Sequence, residues 1–143
     1  MEQAQHFSYE DLREGMTQER AYVITPEVYQ HFLAAFDDRS PLHVELGHAR
    51  RAGFTDKVMH GTILNGFLSH FVGMVFPGAR SLLLGAELRY SQPCYLGDSL
   101  MLSARIAQKV DTQNVVVLHV RFHNGTRDVL AATGRVQVKV REV

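Results

Sequence analysis

The sequence has a single cysteine and no excess of charge of either sign. Cys94 has no second thiol with which to form an internal disulfide, and its isolation suits a reducing compartment. Lys plus Arg and Asp plus Glu each total 15, so the formal net charge is +0. A neutral chain offers no overall basic field to nucleic acid or to an anionic membrane. We therefore expect a small-molecule or protein partner, no nucleic acid and no membrane.

The sequence also lacks a secretion signal and a long hydrophobic run. Its first residues do not show the basic-then-apolar pattern of a signal peptide. The apolar stretch near residues 63–76 is interrupted and too short to span a bilayer. These features predict a cytoplasmic protein. The length of 143 residues predicts one domain, residues 1–143, with enough chain to bury a sizeable core.

Hydrophobic periodicity predicts a strand and two helices in the first half of the chain. Residues 16–24 alternate like a strand, and Thr25-Pro26 then gives a helix-start signal, a capping residue followed by proline. Residues 62–76 carry apolar side chains round most of the helical circumference, which predicts a central helix covered on several sides. Pro77-Gly78 marks its end.

Strand patterns dominate the second half of the chain. Alternation predicts strands over residues 81–90, 99–109, 114–123 and 128–141. Asn124-Gly125 is a hairpin signal between the last two, and Gly134 is interpreted as a bend or bulge. This order predicts an α+β fold in which a long antiparallel β-sheet wraps around the central long helix.

A turn containing proline joins two groups suited to proton transfer. Asp38 and His43 lie five residues apart in Asp38-Arg39-Ser40-Pro41-Leu42-His43, and Ser40-Pro41 favours a turn over a continued helix. Their reference pKa values, about 3.9 and 6.5, lie on either side of mild pH, so the pair can divide proton removal and proton return. Taken alone, Asp37-Asp38 would simply solvate a helix end. Pro41 and His43 favour the catalytic interpretation.

A second candidate feature, His60-Gly61, stands at the head of the predicted central helix. The first N–H groups of a helix have no partner within it, and a glycine lets a carbonyl oxygen approach the backbone closely. Gly61 is therefore a candidate oxyanion site. One narrow face of the same helix is small or polar: Thr62, Asn65, Gly66, Ser69 and Gly73. That face could line a ligand slot or pack closely on a sheet. On the first alternative, His60, Thr62, Asn65 and Ser69 are candidate substrate-binding residues.

No histidine pattern predicts a metal site. His43 and His48 are five residues apart, a spacing that does not align two ligands on one helical face, and no cysteine or further carboxylate completes a set. His119 and His123 share a strand face but lie about 13 Å apart in extended chain, too far for joint chelation. We predict no metal and no cofactor.

Several of these motifs together resemble a known family. Asp38-x-x-Pro41-x-His43, followed by Ala52-Gly53-Phe54 and His60-Gly61, is similar to the MaoC-like (R)-specific enoyl-CoA hydratases and 3-hydroxyacyl dehydratases, which have the hotdog fold. The resemblance continues through Pro77-Gly78 and the segment from Gln92 to Asp98. It covers about two thirds of the chain, roughly residues 32–101.

The resemblance implies a single hotdog domain and a specific reaction. That reaction is reversible hydration of trans-2-enoyl thioesters to (R)-3-hydroxyacyl thioesters, with Asp38, His43 and Gly61 as catalytic groups. It also implies an acyl thioester on coenzyme A or acyl carrier protein and a homodimer, in fatty-acid metabolism, polyester supply or polyketide assembly. Some relatives carry a serine where this chain has Gly66. Two alternatives stay open: a hotdog acyl thioesterase, and a noncatalytic acyl-thioester-binding or partner subunit.

Overall fold

Five antiparallel strands form one sheet in the computed structural model, which describes residues 1–142. The strands are β1 (Thr17–Val23), β2 (Ser81–Tyr90), β3 (Ser99–Val110), β4 (Val115–Asn124) and β5 (Val129–Val140). Their order across the sheet is β1-β3-β4-β5-β2, and every neighbouring pair is antiparallel. The two edges of the sheet are therefore β1 and β2.

The helical segments lie mainly between β1 and β2. They are α1 (Pro26–Phe36), α2 (Pro41–Val44), α3 (Leu46–Arg51) and α4 (Ile63–His70), with a 3₁₀ turn at Tyr9–Asp11 and a π-helical turn at Phe71–Val75 that continues α4. Within residues 1–142, no helix is long and apolar enough to cross a membrane. The α+β architecture with an antiparallel sheet and a central helix is as predicted.

Helix α1 starts and stops where local chemistry dictates. The Thr25 side chain accepts a hydrogen bond from the Val28 N–H at 3.1 Å, and Pro26 occupies the first helical position. The helix ends at Asp37, whose φ of 51° is left-handed and whose N–H donates to the Leu33 carbonyl. This ending turns the chain out of the helix, so Asp38 begins a loop that leads into α2.

The central helix is buried round much of its circumference and is open along its face of small residues. Ile63, Leu64 and Leu68 are buried in the core, whereas Thr62, Gly66 and Ser69 are exposed. A Cβ built at Gly66 or Gly73 would meet nothing within 4 Å. The small-residue face therefore does not pack closely on the sheet. The remaining alternative is that this face lines a ligand site.

The core lies between α4 and the inner face of the sheet. Alternate residues of the three middle strands are fully buried there; they include Leu102, Ile106, Val116, Leu118, Val120, Phe122, Val136 and Val138. Gly134 is not a bulge as predicted: its register is regular, and a Cβ there would lie 2.0 Å from the Glu87 carbonyl of β2. Irregular pairing falls instead between Leu83 and Gly85 of β2, between Ile106 and Gln108 of β3, and between Phe122 and His123 of β4.

Candidate active site

Three polar side chains from separate segments converge beside the start of α4. A carboxylate oxygen of Asp38 and one ring nitrogen each of His43 and His60 all lie within 4.8 Å of one another. Asp38 comes from the loop after α1, His43 from α2 and His60 from the residues before α4. The fold thus brings the two predicted acid-base residues together and adds a second imidazole.

His43 is oriented by hydrogen bonds on both its ring and its backbone. Its Nδ1 lies 2.7 Å from the Val58 carbonyl. Because a carbonyl can only accept, Nδ1 carries the proton, and Nε2 of the neutral ring keeps a lone pair. The buried Tyr29 hydroxyl donates to the His43 carbonyl at 2.6 Å. This arrangement leaves Nε2 of His43 available as a base.

His60 is buried behind this pair, with only 1% of its surface exposed. Its Nε2 donates to the Asp38 backbone carbonyl at 2.8 Å, and its ring centroid lies 4.0 Å from that of His43. Burial lowers the pKa of His60, and the neighbouring His43 lowers it further. His60 is therefore a neutral donor that contacts both Asp38 and His43, and it offers a substrate almost no surface.

The Gly61 backbone lies open at the helix start, with a tyrosine against its α-carbon. Among residues 1–142, the Gly61 N–H donates to no acceptor, which is the state that an oxyanion donor requires. A Cβ at position 61 would lie 3.3 Å from ring atoms of Tyr90. The Tyr90 hydroxyl in turn donates to the Asn65 side-chain oxygen. A side chain at position 61 would therefore crowd the Tyr90 ring.

Two cavities meet the cluster from different sides. An apolar groove of about 910 Å³ runs between α1 and α4, and its lining includes Val28, Phe32, Phe36, Asp38, Thr62, Asn65, Gly66 and Phe67. A smaller cavity of about 330 Å³ is lined by residues that include His43, Gly61, Leu64 and Tyr90. Because the polar atoms of Asp38 and His43 are within 4.8 Å, the pair stands where the two cavities approach each other. Ser69 lies further along α4 and is exposed.

The one thiol of the chain also lines the smaller cavity. Cys94 is 6% exposed, and burial raises the pKa of its thiol to about 11, with Asp98 adding to the effect. A thiol with that pKa is protonated at neutral pH and is a poor nucleophile. The chemistry available in this cavity is therefore that of the imidazole and the backbone amide.

The same three side chains have the composition of a cation site. Each histidine already donates one ring nitrogen to a backbone carbonyl, which is how metal-bound imidazoles are commonly oriented. Residue spacing alone did not predict that His60 would join Asp38 and His43 in one group. The absence of a metal stays a prediction.

Sequence reasoning missed the residues that hold this site in place. Tyr29 sits one turn into α1, and a buried tyrosine hydroxyl requires a partner, but nothing in the sequence indicates that the partner is the His43 carbonyl. Val58 contributes through its backbone alone. Tyr90 is the last residue of β2, and its contact with Gly61 joins two residues that are distant in the sequence.

The chain is similar to known hydratases in both sequence and structure. No family model matches the chain. It is 29% identical over 110 residues to the (R)-specific enoyl-CoA hydratase of Aeromonas caviae, covering 76% of this chain and 81% of the relative. It is 23% identical over 133 residues to the (R)-specific enoyl-CoA hydratase of Rhodospirillum rubrum, covering 93% and 92%. The R-hydratase PhaJ1 of Pseudomonas aeruginosa superposes with a TM-score of 0.88 at 26% identity, covering 98% of this chain and 89% of that one.

The chain has the hotdog fold, and it is similar in sequence and structure to the MaoC-like (R)-specific enoyl-CoA hydratases. Both the resemblance stated from the sequence and the fold that it implied are confirmed. The loop with Asp38 and the His60-Gly61 step lie side by side in one site. The roles of Asp38, His43 and Gly61 as catalytic residues, and of Thr62, Asn65 and Ser69 as substrate contacts, stay predictions.

Proposed function

We propose that this protein catalyses the reversible hydration of trans-2-enoyl thioesters to (R)-3-hydroxyacyl thioesters. The observation that carries the proposal is the convergence of Asp38 and His43 beside an unpaired Gly61 amide at the start of α4. An enoyl thioester needs these elements: a positioned water, a base for it, a proton for the α-carbon and a donor for the carbonyl oxygen. The reverse direction uses the same groups to remove water.

The bond changes can be assigned to these groups. A water held between the Asp38 carboxylate and Nε2 of His43 loses a proton to the pair as its oxygen bonds to the β-carbon. The electrons of the double bond move towards the thioester carbonyl, whose developing negative charge accepts a hydrogen bond from the Gly61 N–H. The pair then returns a proton to the α-carbon, so the net change is addition of one water.

The apolar groove between α1 and α4 is the proposed place for the acyl chain. Most of its lining surface is apolar, and its polar residues are Glu27, His31, Asp38, Thr62 and Asn65. Its volume of about 910 Å³ lies within the range typical of small-molecule sites. The relatives from Aeromonas caviae and Rhodospirillum rubrum are named for coenzyme A, whereas those from Arabidopsis thaliana and Solanum lycopersicum are named for acyl carrier protein. Because the first two match over more of the chain, we propose an acyl-CoA substrate ahead of one on acyl carrier protein. Turnover of enoyl thioesters of increasing length on both carriers would determine the preference.

We further propose that the protein works as a homodimer formed through β2. This strand is an unpaired edge of the sheet and exposes Leu82, Leu83 and Leu84. An exposed apolar edge favours pairing with another strand. Such pairing would put a second subunit close to Tyr90, at the end of β2, and hence close to the smaller cavity.

The decisive experiment is turnover of crotonyl-CoA, followed by loss of the conjugated enoyl absorbance. Asp38→Asn and His43→Gln should each lower kcat by about 10²- to 10⁴-fold, because each removes one proton-transferring group. Matched controls exist in the chain: Asp37→Asn makes the same change at an exposed neighbour, and His48→Gln makes it at an exposed position of α3. Both controls should keep wild-type turnover.

Each other outcome points to a different function. Normal hydration by both Asp38→Asn and His43→Gln would contradict the assignment. Release of free thiol, detected with a thiol-reactive dye, would identify a thioesterase. Tight acyl-CoA binding with no turnover until a second protein is added would identify a noncatalytic subunit.

Full activity after dialysis against EDTA is expected, since none of the proposed steps uses a metal.

A further inference from the structure

The face of the sheet that points away from α4 contains a depression of about 640 Å³ rich in arginine. Its lining includes four arginines, Arg89, Arg105, Arg121 and Arg135, all exposed, and one carboxylate, Glu87. The residues that alternate with them along β3 and β4, such as Ala104 and Val120, are buried in the core. A local cluster of positive charge thus lies on a molecule whose formal net charge is +0.

Strand register gathers these arginines without placing any two directly opposite. In one cross-strand row, Arg105 of β3 pairs with His119 of β4, and His119 pairs with Arg135 of β5. In the next row, Arg121 of β4 pairs with Thr133 of β5, and Thr133 pairs with Arg89 of β2. The arginines therefore form a zigzag over four neighbouring strands, each a diagonal step of about 7–8 Å from the next. At that spacing their long side chains can reach a common ligand.

Among the described residues, these guanidinium groups are not neutralised from within the chain. None of the four has a carboxylate oxygen within 4.0 Å, whereas Arg20, Arg39 and Arg127 elsewhere each have one. Glu87 is opposite Arg135 in the register but makes no ion pair with it. Ser103 and Thr133, which flank Arg121, supply hydroxyls within the same depression. The site offers many donors and few competing acceptors.

The donor chemistry indicates the class of ligand. Every cation in the lining is arginine and none is lysine, and the planar guanidinium matches phosphate oxygens in a bidentate manner. A volume of about 640 Å³ fits a small molecule. We propose that this depression binds a small molecule carrying a chain of two or three linked phosphates, such as inorganic triphosphate or a nucleoside triphosphate. Neither the hydration activity nor its residues are involved.

The test is isothermal titration of the full chain with inorganic triphosphate at fixed ionic strength. Saturable binding at one site per chain is expected. Arg121→Gln and Arg135→Gln should each weaken it about 10-fold, and the double variant about 100-fold, because each removes a charge-assisted hydrogen bond. Arg50→Gln, the same change at an exposed position of α3, is the matched control and should bind like the wild type.

Titrations with other ligands distinguish a nucleotide site from a site for the phosphate chain alone, and both from a surface that binds a macromolecule. ATP binding more tightly than triphosphate would identify a nucleotide site, and equal binding would identify a site for the phosphate chain alone. No saturable binding of either probe, or an Arg121→Gln/Arg135→Gln variant that binds like Arg50→Gln, would overturn the proposal. Binding only of a single-stranded oligonucleotide or of an acidic carrier protein would overturn it in favour of a macromolecular surface. Thermal unfolding of each variant establishes that it is folded.

Discussion

At the scale of single residues, the buried His60 organises the proposed active site through its neighbours. It donates one hydrogen bond to the Asp38 carbonyl, and its ring packs at a tilt against that of His43. It therefore constrains both groups while being buried itself. A displacement of about 1 Å in a reacting group can lower turnover by about 10²-fold. We therefore interpret His60 as a positioning residue, in place of the substrate contact expected from the sequence.

The prediction for His60 compares two substitutions. His60→Leu removes the donor to the Asp38 carbonyl and should lower kcat for crotonyl-CoA by up to about 100-fold with little change in KM. His60→Gln keeps an amide N–H that can make the same hydrogen bond and should recover much of that loss. A role in substrate binding would instead raise KM in both variants. Equal kcat in Gln and Leu variants would contradict a positioning role.

The pH dependence of stability provides a second prediction about His60. The pKa of His60 is lowered from 6.5 by burial, so the folded protein resists a proton that the unfolded chain accepts. Acidification below about 6.5 therefore reduces the free energy of unfolding, while above that pH the residue has no such effect. Urea unfolding at about pH 7.5 and 5.5 should show a smaller loss in His60→Gln than in the wild type. An equal loss in both would mean that His60 titrates normally.

At the scale of the elements, capping and alternation in the sequence predicted where helices and strands begin and end. They did not predict which surfaces pack against one another. The strand over residues 81–90 is observed at the predicted bounds, and α1 starts at Pro26 as the Thr25-Pro26 signal predicts. These features depend on alternation and capping, which act between residues close in sequence. The open face of α4 and the close approach of Gly134 to β2 depend on which surface lies opposite. One sequence does not contain that information.

The segment from Gln92 to Asp98 shows the same limit. It was one of the motifs in the resemblance, and its last residue is a buried carboxylate. Asp98 is 1% exposed and accepts hydrogen bonds from the Tyr95 N–H, the Asn124 amide and the Arg127 guanidinium. The motif therefore fixes the start of β3 against the end of β4, and the pairing with Asn124, 26 residues away, was not predictable from spacing.

The cap of α1 provides a prediction at this scale, because α1 leads directly to Asp38. Thr25→Ala removes the hydrogen bond to the Val28 N–H and should lower the free energy of unfolding by about 1 kcal/mol. Thr112→Ala, at an exposed position between β3 and β4, is the matched control and should change it by less than about 0.5 kcal/mol. Urea unfolding measures both. Equal stability of the two variants would mean that α1 does not depend on its cap.

At the scale of the whole molecule, a balanced composition conceals a local cluster of arginines. The formal net charge of +0 led to the expectation of no basic field, yet strand register collects four arginines in one depression on the open face of the sheet. Composition counts charges, whereas the register of antiparallel strands decides which of them are neighbours. Net charge therefore indicates whether the whole molecule attracts a charged partner over a long range, but it does not predict a local cluster such as the four arginines.

The unpaired edge strand β2 leads to a prediction about dimer formation. Leu82, Leu83 and Leu84 are 50%, 41% and 52% exposed, and a run of apolar side chains on a sheet edge is costly to leave in water. We expect the wild-type protein to sediment as a dimer. The double substitution of Leu82 and Leu84 by lysine should shift it to monomer, because charges on an edge strand oppose strand pairing. Leu96→Lys, at a residue 41% exposed in the loop after β2, is the control and should stay dimeric. A dimer that survives the double substitution would place the subunit contact elsewhere.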